Sequence, residues 1–372
     1  MPHDPYRALY LHFPFCASRC AYCDFATRAV RRDDPAISSY VEDMVMQIRR
    51  AGREGELASI ETVYLGGGTP THTGTKHLSQ VLYALGLTMH LTEAVECTVE
   101  ANPESLDERL VCDLWALGAN RLSIGVQSFD DGLLRTLGRA HTADDARGAV
   151  NDALSRFDNV SIDLMCGLPG QSLEQFESSL REAVELGVKH VSVYPLAIED
   201  HTPFAHMVAS GEIPEPDEDV EADMMKLACE TLTSAGFVRY EVANYARPGY
   251  ESRHNAAYWS GKPYLGIGLS AATMTQNDQR RMRVQDGRVT DDLDPRQMAA
   301  EDLMLAMRMT RGVDADLLSR AERLLPKTRA VLEELVMRGL ASHDIPSDAY
   351  RPTELGWLCG NELYGALYDL AP

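Results

Sequence analysis

Basic residues are scarce in this chain of 372 residues: 35 Lys and Arg stand against 56 Asp and Glu, which gives a formal net charge of −21. A surface of this kind repels phosphate backbones and anionic membranes over most of its area. The basic face that an RNA-modifying enzyme would need is missing. Nucleic acid is therefore not an expected partner.

Long apolar runs are also absent. No stretch approaches the roughly 20 apolar residues that a membrane-spanning helix needs. The first seven residues, Met-Pro-His-Asp-Pro-Tyr-Arg, have neither the basic nor the apolar region of a signal peptide. We therefore expect a cytoplasmic protein. No internal repeat or low-complexity tract interrupts the chain, and its length suits one large α/β domain with an appendage.

Short β-rich runs alternate with amphipathic helical stretches from about residue 8 to 196. This alternation predicts parallel strands with right-handed crossovers, in either a doubly wound sheet or a barrel. From residue 297 onward the pattern is mainly helical. We expect a first domain at 1–285 and a small, mainly helical one at 286–372. Predicted strands lie at 9–13, 62–65, 97–100, 121–126, 160–164 and 190–194, and predicted helices at 37–51, 75–86, 105–117, 144–156 and 173–186.

Three of the eight cysteines, Cys16, Cys20 and Cys23, lie within eight residues of one another, directly after the first predicted strand. Thiolates are the usual ligands of iron-sulfur clusters, and three of them leave one iron of a cubane open. Zinc or a purely structural role is the alternative, although no second CxxC pair follows. The other five are expected to be buried small hydrophobes: Cys97, Cys112, Cys166, Cys229 and Cys359.

A glycine-rich segment, Gly66-Gly67-Gly68-Thr69-Pro70-Thr71, ends the second predicted strand. Glycines let the backbone approach a ligand, and their N–H groups suit a carboxylate. The segment is not a phosphate-binding P-loop, because no Gly-Lys-Ser/Thr follows it. A tight turn is the alternative interpretation.

The CxxxCxxC spacing, with Tyr22 before the last cysteine, resembles the signature of the radical S-adenosylmethionine (SAM) superfamily. The GGGTPT segment resembles the form found in its coproporphyrinogen oxidase branch. The resemblance implies an incomplete TIM-type barrel of six β/α units and a 4Fe-4S cluster on Cys16, Cys20 and Cys23. It also implies SAM on the open iron, cleaved to methionine and a 5′-deoxyadenosyl radical, and an electron donor such as flavodoxin or ferredoxin. Further matching segments are VEANP (99–103), RLSIGVQSF (121–129), LGRAH (137–141) and IDLMCGLP (162–169).

The resemblance also implies eight SAM contacts. Each has an ordinary alternative: Glu100 or Asp163 as a helix cap, and Arg139 as a surface ion pair. Polar residues that end successive parallel strands converge on one mouth, so we expect them to lie together. The matching positions are Tyr10, Gly67, Gly68, Thr69, Glu100, Gln127, Arg139 and Asp163.

Two features resemble the heme chaperones called HemW more than the oxygen-independent coproporphyrinogen III oxidases. Phe25 stands where the oxidases have a further cysteine, and fifteen residues precede Cys16 where the oxidases have a longer arm. The segment His254-Asn255-Ala256-Ala257-Tyr258-Trp259 matches the HNxxYW motif, whose His is implicated in heme binding. Imidazole is a common axial heme ligand. A His satisfied within a packed turn is the alternative.

The resemblance therefore implies a carrier more than a catalyst. Such a chaperone binds the cluster, SAM and heme or a porphyrin, with His254 near heme. It passes heme to an acceptor protein that the sequence does not name. The stretch at 264–272 departs from the family pattern because it lacks the usual His. The alternative is an enzyme, a radical coproporphyrinogen III dehydrogenase that abstracts hydrogen from propionate side chains and releases carbon dioxide twice.

Overall fold

The structure is a computed structural model that describes residues 3–89, 91–92 and 94–372. The strands within these ranges are β1 (Ala8–Phe13), β2 (Phe15–Cys16), β3 (Arg28–Ala29), β4 (Thr62–Gly67), β5 (Glu96–Ala101), β6 (Arg121–Gln127), β7 (Asn159–Cys166), β8 (His190–Pro195), β9 (Val238–Arg239), β10 (Asn244–Ala246), β11 (Tyr264–Ile267), β12 (Ala272–Asn277), β13 (Arg280–Gln285), β14 (Arg288–Leu293), β15 (Ala341–Asp344) and β16 (Ala349–Pro352).

The α-helices in the same ranges are α1 (Pro35–Glu54), α2 (Thr75–Met89), α3 (Glu108–Ala116), α4 (Asp131–Leu137), α5 (Ala143–Leu154), α6 (Leu173–Glu185), α7 (Pro203–Ala209), α8 (Glu218–Ser234), α9 (Arg253–Trp259), α10 (Pro295–Ala306), α11 (Ala315–Leu324), α12 (Thr328–Met337), α13 (Glu354–Leu358) and α14 (Gly360–Tyr368). None of these described helices is both long and apolar enough to cross a membrane.

One large sheet organises the chain, in the strand order β14-β13-β12-β11-β1-β4-β5-β6-β7-β8-β10-β9. Its six central strands, β1 and β4 to β8, are all parallel, and the segments between them cross over through helices. They form the incomplete (β/α)6 barrel of TIM type that the resemblance implies. Of the two architectures that periodicity left open, the chain therefore adopts the barrel and not the doubly wound sheet. Every predicted strand and helix of this unit is confirmed, with ends that move by at most three residues.

Side chains alternate strictly along the barrel strands. On β1, Leu9, Leu11 and Phe13 are fully buried in the apolar core, so by the strand period Tyr10 and His12 point to the opposite face, into the barrel. The interior of a TIM barrel is usually filled by branched apolar residues. Here polar side chains take those positions: Thr62, Tyr64, Glu96, Thr98, Glu100, Arg121, Ser123, Ser161, Asp163, His190 and Ser192.

The hairpin formed by β13 and β14 continues the sheet to Leu293, and helix α10 begins directly after it. The proposed division between 1–285 and 286–372 falls in the turn of this hairpin and remains a proposal. The following region is mainly helical with a small hairpin, β15 and β16, and has its own apolar cluster. Arg281 connects the two regions, because its buried guanidinium pairs with Glu301 and, at 2.7 Å, with Asp302.

Candidate functional site

The cysteine loop is fixed at both ends and in its middle. β2 pairs with β3, so the loop starts and ends at the same place. The Ala21 N–H donates to the carbonyl of Leu137 at 3.2 Å, and the Ala21 carbonyl accepts from the N–H of Phe204 on α7 at 3.0 Å. The thiols line one cavity at the carboxyl ends of the barrel strands: Cys16, Cys20 and Cys23.

The three thiols share one cavity and are the candidate ligands of a cluster. Among the described residues, no group of three or more His, Cys, Asp and Glu side chains is placed to hold a single metal ion. A cubane binds each thiolate at a different iron, so its ligands stand farther apart. Burial raises the pKa of the Cys16 and Cys23 thiols, a cost that the charge of bound iron would offset.

The glycine segment packs directly against the cysteine strand. Gly67 has φ +112, and a Cβ there would stand 2.5 Å from the His12 ring. A Cβ on Gly68 would stand 2.9 Å from Sγ of Cys16. Thr69 Oγ1 donates to the same sulfur at 3.7 Å. Glycine is therefore required for this close approach, and the segment is more than the tight turn of the alternative interpretation.

Arg139 connects the cysteine loop to the ends of two strands. Its Nη1 donates to Sγ of Cys20 at 3.4 Å, and its Nη2 donates to Oδ1 of Asn102 at 2.7 Å and to the Gly125 carbonyl at 2.8 Å. Asn102 Nδ2 donates in turn to Thr69 Oγ1 at 2.9 Å. Arg139 is thus an internal connector and not a surface ion pair. Sequence reasoning missed Asn102, although its place two residues after Glu100 at a strand end was a usable signal.

Two half-buried carboxyl groups, those of Glu100 and Asp163, face the barrel interior, and neither caps a helix. Glu100 accepts through Oε1 from the Tyr64 hydroxyl at 2.7 Å and through Oε2 from the Gly67 N–H at 3.0 Å. Burial raises the pKa of Glu100 to about 7. Asp163 accepts from Ser123 Oγ at 3.5 Å, and burial raises its pKa as well. Both groups therefore hold protons more tightly than exposed carboxyl groups do.

Gln127 ends β6 in an unusual backbone conformation. Its φ is +67, in the left-handed region that few residues other than glycine adopt, and the pairing of β6 with β7 shifts register just before it. Such irregularities re-aim a side chain at the rim of a barrel. The result is a glutamine that lines the cavity.

The cavity collects the three cysteines and seven of the eight predicted SAM residues; Tyr10 is the exception. The Tyr10 hydroxyl lies deeper in the barrel, 3.0 Å from His12 Nδ1. Tyr22 and Ser123 also line the cavity and were not predicted to do so. The cavity has a volume of about 150 Å³ and is open to solvent.

His254 lies at the other end of the barrel. It is the second residue of helix α9, whose first N–H groups, those of Arg253 and His254, donate to the buried Glu96 carboxylate at 2.9 Å each. His254 Nδ1 lies 2.9 Å from Thr62 Oγ1, and its ring stacks on Tyr64 with centroids 4.9 Å apart. The side chain is 2% exposed, and burial lowers its pKa to about 3. Its Nε2 has no hydrogen-bond partner among the described residues.

The structure therefore does not bring His254 together with the cysteines. Thr62 starts β4 and Gly67 ends it, which puts roughly 16 Å of strand between the two ends. The other motif aromatics are not free either: Tyr258 packs on His254, and Trp259 packs under the guanidinium of Arg308 at 4.9 Å. Outside α9 lies a groove of about 770 Å³, whose walls include Trp115, Arg156 and Arg253.

The prediction that the five isolated cysteines are buried holds for two of them. Cys97 and Cys166 are buried, whereas the other three, Cys112, Cys229 and Cys359, are half-buried.

Comparison with known proteins first identifies the superfamily to which the chain is similar. Residues 10–183 match the family model of the Radical SAM superfamily, which is the class that the partial barrel and its cysteine loop define.

Full-length relatives narrow this class. Heme chaperone HemW of Bacillus subtilis is 33% identical over 382 residues, which cover 97% of this chain and 98% of that protein. Heme chaperone HemW of Lactococcus lactis is 37% identical over 71% of this chain and 68% of its own length. Heme chaperone HemW of Escherichia coli is 36% identical over 75% of this chain and 73% of its own length. The chain belongs to the HemW family within the radical SAM superfamily.

A solved structure supports the architecture. Coproporphyrinogen III oxidase (HemN) from Escherichia coli superimposes with a TM-score of 0.79 and covers 98% of this chain and 90% of its own. At 21% identity this likeness shows the fold alone.

Proposed function

We propose that the protein is a heme chaperone that carries a 4Fe-4S cluster, binds SAM beside it and passes heme to an acceptor protein. The observation that carries the proposal is the similarity to HemW of Bacillus subtilis, which extends over nearly the whole of both chains. The cavity supports it, because three cysteines and seven polar or glycine positions line one wall at the carboxyl ends of parallel strands.

Cys16, Cys20 and Cys23 would hold the cluster, and an electron donor such as flavodoxin or ferredoxin would reduce it. Bound cluster and SAM supply one-electron chemistry, while the protein supplies position and electrostatics. The residues proposed to hold SAM are Gly67, Gly68, Thr69, Glu100, Gln127, Arg139 and Asp163, with Tyr10 behind them. Arg139 would place a fixed positive charge next to the Cys20 thiolate.

His254 is the residue proposed to bind heme, where its imidazole would ligate the iron. Its unpartnered Nε2 supports this, and so does the low pKa, because the neutral imidazole is the form that ligates iron. The proposed place for heme is the groove outside α9, where the exposed indole of Trp115 offers a stacking surface, although His254 itself does not line this groove. Ligation requires α9 to shift, since Nε2 is buried.

An anaerobic heme titration of the reconstituted protein, with coproporphyrinogen III turnover followed in parallel, tests this function. We expect one heme per chain, weaker binding in His254→Ala, unchanged binding in the control His206→Ala on exposed α7, and no turnover. Decarboxylation without specific heme binding would assign the chain to the oxidases instead. Equal heme affinity in wild type and His254→Ala would remove His254 from the site.

A further inference from the structure

Tyr64 touches both ends of the barrel. It lies on the inner face of β4, between the residue that contacts His254 and the glycine segment that ends the strand. Its ring stacks on the His254 imidazole at 4.9 Å with an interplanar angle of 27°. Its hydroxyl donates to Oε1 of Glu100 at 2.7 Å. One side chain thus contacts the HNxxYW helix with its ring and the cofactor cavity with its hydroxyl.

Glu100 connects Tyr64 to the glycine segment through hydrogen bonds. Its second oxygen accepts from the N–H of Gly67 at 3.0 Å, so both carboxylate oxygens are occupied by the protein. Gly67 is in a conformation that only glycine adopts easily, and the His12 ring lies directly against it. The Glu100 carboxylate therefore holds the Gly67 N–H, whereas the Gly68 N–H donates to the Phe13 carbonyl at 2.7 Å. Tyr64 in turn holds the carboxylate.

We infer that Tyr64 is a positioning residue for SAM, which acts through Glu100 on Gly67 and makes SAM affinity depend on the position of His254. This inference rests on the proposed SAM site. It has a direct consequence for heme: a ligand that draws His254 away from Tyr64 removes the packing that holds the Tyr64 ring. SAM binding then weakens, and by reciprocity SAM weakens the binding of that ligand to the same extent.

A double-mutant cycle tests the coupling, because contact alone does not demonstrate it. The variants are Tyr64→Phe, which keeps the ring on His254 and removes only the hydroxyl, His254→Ala, and the two combined. Tyr350→Phe is the matched control: its hydroxyl likewise donates to a carboxylate, that of Glu333, but Tyr350 lies on β16, in the mainly helical region and not on the barrel.

The readout is the dissociation constant for SAM of the reconstituted, heme-free protein, measured by anaerobic calorimetry, with iron content and unfolding temperature recorded for each variant. We expect Tyr64→Phe to raise the dissociation constant about tenfold, as the loss of a buried hydrogen bond to a carboxylate would. Iron content should stay at the wild-type level, and the unfolding temperature should match that of Tyr350→Phe. If Tyr64 had a purely structural role, Tyr64→Phe and the control variant would both unfold at lower temperatures than the wild type, and SAM affinity would stay at the wild-type level.

His254→Ala should weaken SAM binding severalfold with no heme present. In the double variant, the fold rise in the SAM dissociation constant should be smaller than the product of the fold rises in the two single variants. Wild-type affinity in Tyr64→Phe, or two effects that simply multiply, would overturn the inference while the proposed function stands. A wild-type protein that binds no SAM would overturn the proposed function itself and this inference with it.

Discussion

Arg139 donates a hydrogen bond to Sγ of Cys20 across 119 positions of sequence, at 3.4 Å. The same guanidinium donates to the Asn102 amide oxygen and to the Gly125 carbonyl. A single cation therefore ties the cysteine loop to the ends of β5 and β6. Its charge lies where thiolates would need compensation, in a protein whose net charge is −21.

Replacing Arg139 with Ala should lower both stability and SAM binding. The change leaves two acceptors, Asn102 Oδ1 and the Gly125 carbonyl, without their donor, which should cost about 2–4 kcal/mol of unfolding free energy. Urea denaturation of the iron-free protein measures this loss. Arg135→Ala, on the exposed face of α4, is the control and should behave as wild type. Full stability of Arg139→Ala would mean that these hydrogen bonds do not hold the loop.

Replacing Cys16 with Ala should abolish the cluster without unfolding the barrel, because the residue ends the short strand β2 and does not belong to the apolar core. Iron analysis and the visible charge-transfer absorbance of anaerobically reconstituted protein measure the loss. Cys112→Ala on α3 changes a half-buried cysteine far from the cavity and should keep its iron. A Cys16 variant that kept wild-type iron would refute the ligand assignment.

The half-buried Glu100 predicts a specific pH dependence of stability. The unfolded chain releases this proton near pH 4.5, whereas the folded chain keeps it up to about pH 7. The folded state thus binds more protons in this window, and stability falls as the pH rises from 4.5 to 7. The loss should reach about 3 kcal/mol, at about 1.4 kcal/mol for each pKa unit.

Chemical denaturation of wild type and Glu100→Gln across this window isolates the effect, since the neutral amide cannot titrate. The wild type should lose stability relative to the variant as the pH rises. A constant difference between the two proteins would contradict the burial of an ionisable carboxyl group at this position.

Arg281 should hold the mainly helical region onto the barrel sheet. Its side chain is buried and pairs with Glu301 and Asp302. Arg281→Ala removes one partner of the buried Glu301 and the partner of the half-buried Asp302, which should cost about 3 kcal/mol of unfolding free energy. The cost is not larger because Arg283 still pairs with Glu301. The neighbouring Arg280→Ala removes only an exposed ion pair with Asp292 and should change little. Equal effects of the two variants in thermal unfolding would contradict this account.

The sequence predicted the barrel strands and most of the cavity for one physical reason. Parallel strands end at the same edge of a sheet, so polar residues that follow or end them must converge. The polar interior was also visible in the sequence, as alternation within runs such as HVSVY and VSIDL. Tyr10 fails to reach the cavity because it lies two residues before His12 on β1, farther from the strand end.

The depth of His254 could not be read from the sequence. The course of α9 across the bottom of the barrel depends on Glu96, 158 positions earlier, whose carboxylate accepts the first N–H groups of the helix. Trp259 is likewise held by Arg308, in a region that follows the barrel sheet. Short-range patterns carry no information about such distant partners. The left-handed backbone of Gln127 depends on a register shift between two strands, which is equally invisible locally.

The most direct test of the central claim is electron paramagnetic resonance of the reduced, reconstituted protein with and without SAM. A cluster held by only Cys16, Cys20 and Cys23 leaves one iron for SAM. We predict about four irons per chain and a reduced-cluster signal whose g values shift when SAM is added. A signal that saturating SAM leaves unchanged would contradict the proposed cavity.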